Sequence, residues 1–492
     1  MSNNPACSPR FNIIIVGGGG SGLAAAVSAA ENGASVLVLE KRAQLGGTTG
    51  IAVGSFTANG TGMQSNAGIN GDNPDDHEED AGKFASPEIE AQNNSALRRF
   101  FLSHSAETLD WLMGMGIRFH GPSPEPPNRV PRMHNVVPGA KAYIATLQAR
   151  LLKLGGEILL DAPVLRLIKG ERQKVTGVVA EIEGKDTSFQ ADRGVILAAG
   201  DYANSPETIA RFKGGKYRPI EGINPHAEGD GHRLAEEAGA KLLNMEVTYG
   251  PELRFVPPKG RTFQQLLPAN GSLARLMGMA LPFVPGFIMN AMIRRLLVTW
   301  QHPENALFDD GAILVNHNAE RFCDETQWPD REIAVAAQPQ KECFILLDES
   351  LVKRYSAWPH FISTAPKIAY GYVADYLKLR PDVAVEADSL EALALRRNLP
   401  QKNLLAAAEN AGMKGNRWVL LGPAKAYFTT TEGGAAINSQ FEVLDKDGKA
   451  IPGLYAIGQT GLGGQILWGH GLHIGWAMTS GRLCGKHLAG KE

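Results

Sequence analysis

Apolar positions first gather in a run of four, Ile13 to Val16, and the chain then turns bare at Gly17-x-Gly19-x-x-Gly22. A small-residue stretch ending near Gly33 and a second apolar run closing on Glu40 follow. An apolar strand, a glycine turn, a helix and a second strand predict a complete βαβ unit. The junction of apolar strand and bare turn returns twice, as Val195 to Ala198 running into Ala199-Gly200-Asp201 and as Leu454 to Gly458. One early, one central and one late junction predict a nucleotide domain assembled from distant segments. Between them, "NSALRRFFLSHSAETLDWLMGMGI" predicts helix and "GEILLDAPVLRLIKGERQKVTGVVAEIEG" predicts strands. The charge run "NPDDHEEDAG" predicts a solvated surface loop with no catalytic role.

The spacing of the first turn carries chemistry. Gly17 permits the tight turn, Gly19 lets backbone N–H groups approach a pyrophosphate at the helix N-terminus beside Gly20 and Ser21, and Gly22 allows close helix packing. Glu40 is placed to accept ribose hydroxyls, with Lys41 next to it. The loop Gly46-Gly47-Thr48-Thr49-Gly50 adds bare backbone and hydroxyls where a flavin nucleotide continues past its ribose. A nicotinamide enzyme has no particular need of that loop, so FAD is the expected cofactor. Val164, Ala199, Gly200, Asp230, Gly458, Gln459, His473 and Ile474 complete the expected cofactor contacts.

Charge and cysteine usage narrow the partners. Among 492 residues, 49 Lys and Arg stand against 51 Asp and Glu, for a net charge of -2. That balance leaves no electrostatic footprint for nucleic acid and points to a small-molecule partner. Cys7, Cys323, Cys343 and Cys484 are far apart and form no C-x-x-C, which argues against a disulfide framework, a metal site or a haem site and suits a reducing cytoplasm. The opening "MSNNPACSPR" lacks the charged and apolar regions of a secretion signal. Leu276 to Ile293 runs 18 residues without a charge, but Pro282 and Pro285 interrupt any spanning helix. The run is expected to be a buried element. The alternative is an apolar lid flanked by Arg275, Arg294 and Arg295 that touches a membrane surface peripherally.

With "AEGDGHRLAEEAGAKL" and "GAILVNHNAERFCDE", these segments resemble the flavoprotein superfamily of soluble fumarate reductases and 3-ketosteroid dehydrogenases across nearly the whole chain. The resemblance implies an α/β fold: a glutathione-reductase-type, Rossmann-like FAD domain with an inserted α+β capping domain. The FAD domain is expected over 1–250 and 415–492, with the cap over 251–414. Covalent relatives attach FAD to a histidine just past the first flavin loop. "TTGIAVGSF" offers none, so noncovalent FAD is expected.

The clamps that hold two carboxylates in the fumarate-reducing branch are nearly all missing. Thr429 and Thr430 stand where histidines would precede T-x-G-G, Pro329 stands where an arginine acid would, and Trp468 lies near the place of the N-R-L-G motif. The C-terminal "GHGLHIGWAMTSG" instead resembles the ketosteroid dehydrogenase motif I-G-x-A-M-T-x-G. That likeness implies that the N–H of Gly471 holds a substrate ketone oxygen, which would stabilise a developing enolate. His470 is a candidate donor or relay beside it. The α-proton needs a base, for which Tyr249, with its pKa lowered by Arg331, is the first candidate and His134 the second. The expected activity is α,β-dehydrogenation of an apolar, cyclic or steroid-like ketone, with hydride passing to flavin N5 and electrons to an external acceptor or, in reverse, from a donor. The alternatives are an ene-reductase acting on an unsaturated acid other than fumarate and a membrane-associated flavin electron carrier without turnover.

Overall fold

The structure is a computed structural model that describes residues 8–258, 260, 291, 293–295, 297–299, 301–365 and 368–490. Nearly all of the uncharged run 276–293 lies outside the described residues. Among those described, no helix is long and apolar enough to cross a membrane.

The first apolar run forms the strand Arg10–Val16, at the centre of a mostly parallel sheet. On one side it pairs in parallel with Val36–Leu39 and on the other with Lys185–Leu197, which in turn pairs in parallel with Ala450–Ala456. Ile13, Ile14 and Ile15 are fully buried. Strands covered on both faces need continuous apolar runs, and each such side chain contributes about 1.5–3 kcal/mol over an exposed one. The register sets Val16 beside both Leu39 and Leu197, with Leu197 beside Ala456. All three strand-to-glycine junctions therefore end side by side at the carboxyl edge of one sheet, where open α/β sheets bind ligands. Glu157–Leu159 extends this sheet beyond Val36–Leu39, and Val164–Lys169 and Val175–Ile182 join it as an antiparallel ribbon.

Helix Gly20–Glu31 packs against the C-terminal helix Leu472–Ala489 through small residues. A Cβ at Gly481 would lie 2.4 Å from the Ser21 carbonyl oxygen, and one at Gly485 would lie 2.2 Å from that of Ala25. Bare backbone on one helix thus lets the other approach to contact distance. The stretch expected to be helical forms Ser95–Ser103 and Ser105–Gly114.

A second sheet is built around Trp418–Phe428, flanked by Glu252–Phe255, Cys343–Leu347, Ala384–Ala387 and Glu221–Gly222. It is antiparallel except for the last pairing and has its own apolar core. Its membership reaches past 251–414 at both ends. "GPAKAYF" continues the cap strand instead of re-entering the nucleotide sheet, because Ala424, Ala426 and Phe428 are buried in the cap core. The passage between the layers comes just afterwards, at Thr430–Thr431 and Gly434–Ala435.

"NPDDHEEDAG" is not a solvated loop. It forms the helix Pro74–Ala81, capped by Asn73, and Asp80 is wholly buried. Arg132 Nη1 reaches Asp80 at 2.7 Å, and Arg129 and Lys83 also pair with it. A buried carboxylate needs such partners, and they hold its pKa far below the usual range against the opposing effect of burial.

Candidate active site

A cavity of about 350 Å³ runs along the carboxyl edge of the parallel sheet and under the cap. Its floor is the first glycine turn. Gly17 has φ +110°, and a Cβ there would lie 2.5 Å from the Ala198 carbonyl oxygen; one at Gly22 would lie 2.0 Å from that of Gly17. Gly19 differs, since the nearest atom to a Cβ built there is 3.9 Å away, so its backbone faces open cavity. The N-termini of helices Gly20–Glu31 and Leu472–Ala489 both open on this space, neither capped by a side chain, and each brings the positive end of a helix dipole.

Glu40 is buried at the end of its strand. Its Oε2 accepts the Gly18 N–H at 2.8 Å and its Oε1 accepts the Arg42 N–H at 3.0 Å, so this carboxylate also fixes the turn. Lys41 is paired with Glu228 and Asp230 at 2.6 and 2.7 Å. Gly47, Thr48 and Thr49 line the cavity, whereas Gly46 and Gly50 do not. The Gly46 N–H donates to Gly18 at 3.0 Å, and Gly50 N–H to Gly46 at 2.8 Å, which ties the second loop to the first. Val164, Ala199, Gly200, Asp230, Gln459, His473 and Ile474 line the wall. Gly458 lies behind it, its carbonyl accepting the buried Trp476 indole at 3.0 Å. An elongated cleft with exposed glycine backbone, an acid at a strand end and two helix N-termini fits the pyrophosphate, ribose and ring of FAD.

The far end is made by the cap and the C-terminal turn. Tyr249 lies on the short strand Thr248–Tyr249, paired with Thr430–Thr431. Its ring meets Trp468 edge to face at 5.7 Å, and both line the cavity. Burial and the charge of Glu252 push the Tyr249 hydroxyl well above its usual pKa, with Arg254 opposing them. His470 offers its ring to the cavity, and Glu125 receives both its Nδ1 and, at 2.9 Å, its backbone N–H through the same oxygen. Burial alone would lower the His470 pKa, but the bond and charge of Glu125 outweigh it and raise it. His473 Nε2 pairs with the buried Glu432 at 2.8 Å. Asp201, buried on the cavity wall, is pushed up to about 6 by burial, against the pull of hydrogen bonds from Ala203 and Thr430.

The structure brings Tyr249, Trp468, His470 and Gly471 together and leaves two candidates outside. Arg331 does not line the cavity. It is buried in the helix Asp330–Ala336, held by Glu332, the Glu325 carbonyl and Asn305, with its guanidinium over Phe308. It therefore does not prepare Tyr249 as a base, and the Tyr249 pKa moves in the opposite direction. His134 is buried in the strand Met133–Val137, bonded to Thr61 at 3.0 Å, and pulled down to about 4 by burial. Gly471 does line the cavity, with φ +84°. A side chain there would also strike Thr57, 2.8 Å from its Oγ1, so the bare position is required by packing as well as by access.

Sequence reasoning missed Arg254, Glu252 and Glu125. The alternation of "ELRF" held a signal for the first two, because residues two apart on a strand share a face. Glu125, between prolines, had no signal.

A parallel nucleotide sheet, glycine turns on a capped cleft and a polar constellation at its far end define a flavoprotein oxidoreductase. Residues 12–469 match the FAD binding domain family, and the chain belongs to it. It is an FAD-dependent oxidoreductase. It is 26% identical to a vinyl phenol reductase of Lactiplantibacillus plantarum over 515 aligned positions, 97% of this chain and 96% of that protein. The open form of a flavocytochrome c3 fumarate reductase superposes with a TM-score of 0.73 at 23% identity, covering 98% of this chain and 79% of that one. A 3-ketosteroid-Δ4-(5α)-dehydrogenase from Rhodococcus jostii superposes with a TM-score of 0.61 at 21% identity, covering 99% of both chains. These two likenesses show the fold, a mixed α/β flavoprotein of the fumarate reductase and ketosteroid dehydrogenase type.

Proposed function

We propose that the protein reduces a carbon–carbon double bond conjugated to an uncharged activating group, such as a ketone, in a largely apolar substrate. The observation that carries this reading is the geometry of the cavity's far end, where Glu125 holds His470 by Nδ1 and by its backbone N–H, and Tyr249 lines the same space against Trp468. Tyr249 and His470 both have raised pKa values, so they flank the substrate space as proton donors. Desaturation, the direction implied by the C-terminal motif, needs Tyr249 as a base, and burial and the charge of Glu252 oppose the loss of its proton. The vinyl phenol reductase likeness supports the same direction.

Bound FAD, held noncovalently by the glycine floor, supplies the two-electron chemistry. Tyr249 donates its O–H to the activating oxygen, joined by the N–H of Gly471, and together they draw electron density from the double bond. His470, whose proton Glu125 favours through its contact at Nδ1, delivers the proton that completes the saturated product. Glu125 fixes which nitrogen is engaged, since its hold on Nδ1 leaves Nε2 for the substrate. Trp468, edge to face with Tyr249, adds an apolar surface to the same space. Electrons come from an external donor.

The test is to reduce the FAD-loaded protein anaerobically and add benzylideneacetone, 4-vinylphenol, cinnamate or fumarate while following flavin absorbance. Reoxidation by the ketone and not by fumarate supports the reading. Reoxidation by fumarate alone, or bleaching of the oxidised protein by saturated ketones alone, overturns it.

A further inference from the structure

The strand Glu252–Phe255 alternates between half-buried and buried positions. Leu253 and Phe255 enter the cap core, while Glu252 and Arg254 share the opposite face. Arg254 lines the cavity beside Tyr249, Gln301, Thr429 and His470, and a cation there is what an anionic substrate would seek. Glu252 already engages it. Its Oε2 lies 3.2 Å from Arg254 Nε and 2.8 Å from Nη2, accepts the Thr429 hydroxyl at 3.3 Å and has His302 Nδ1 at 3.8 Å.

We infer that Glu252 is a specificity-determining residue that excludes unsaturated carboxylic acids by occupying Arg254 with the protein's own carboxylate. The inference rests on the reading of this cavity as the substrate site. A substrate carboxylate must displace Glu252 or lie beside it as a like charge, and discrimination by a repulsive element is as effective as discrimination by an attractive one. An uncharged ketone of the same shape meets neither obstacle. Removing the charge of Glu252 takes away the carboxylate that competes with a substrate acid for Arg254.

The experiment is equilibrium binding of cinnamate and benzylideneacetone, which share a phenyl ring and an alkene, to the oxidised FAD-loaded protein, read from perturbation of the flavin spectrum. Wild type, Glu252→Gln and the double variant E252Q/R254Q are compared, with Glu252→Ser in place of Glu252→Gln should the latter not load FAD. The ratio of the cinnamate to the benzylideneacetone dissociation constant is expected to fall at least tenfold in Glu252→Gln and to return toward the wild-type value in the double variant. An unchanged ratio in the FAD-loaded single variant, with the ketone still bound, overturns the role of Glu252. Failure of both compounds to bind wild type overturns the substrate-site reading and this inference with it.

Discussion

The two ends of the cavity are built by different means. The nucleotide end is backbone: turns at Gly17 to Gly22 and at Gly46 to Gly50, tied together by main-chain hydrogen bonds, with Glu40 bracing the first. The cap end is side chains drawn from remote segments: Tyr249, Arg254, His470, and Glu125 behind it. Backbone sites tolerate little change because geometry is the function. Side-chain sites can be retuned one residue at a time, which accounts for one fold serving different substrates.

The largest expected effect tests the nucleotide end. Gly22→Val puts a Cβ where the Gly17 carbonyl oxygen lies 2.0 Å away, so the purified variant should carry no flavin absorbance. His470→Ala should leave FAD loading intact and slow reoxidation by an enone about 10²–10⁴-fold, the usual worth of a positioned proton donor. A loss of FAD from that variant would break the division between the two ends. Tyr249→Phe removes one donor to the activating oxygen and should cost about 10²-fold in kcat. At the small end, Lys41→Met should change FAD affinity within about fivefold by equilibrium dialysis, because partly exposed ion pairs contribute little.

The same contrast explains what could be read from the sequence. Gly17 to Glu40 is local, so spacing alone carried the turn, the helix and the acid. The three junctions required only that apolar strands end in bare turns, and the sheet register then set them side by side. Arg331 shows the limit. It lies near a motif in sequence, but its helix turns the guanidinium toward Glu332 and Asn305. The cation near Tyr249 is Arg254, five residues away along the chain and brought round by the cap strand. Glu125 and His470 lie 345 positions apart, and no local pattern reports such a pair. Gly471 was legible by position, but half of its reason, contact with Thr57, emerged only from packing.

The central claim is that the cap end acts by giving a proton. The direct measurement is the rate of reoxidation of the reduced protein by benzylideneacetone across pH 5.5 to 9.5, in wild type and in Glu125→Gln. Glu125 raises the His470 pKa above its ordinary value near 6.5, so the proton is present below the raised pKa and lost as pH climbs through it. The account predicts a low-pH plateau that falls with increasing pH, and a fall displaced to lower pH in Glu125→Gln. A rate that rises with pH would mean that the site works through a base, and would contradict the account.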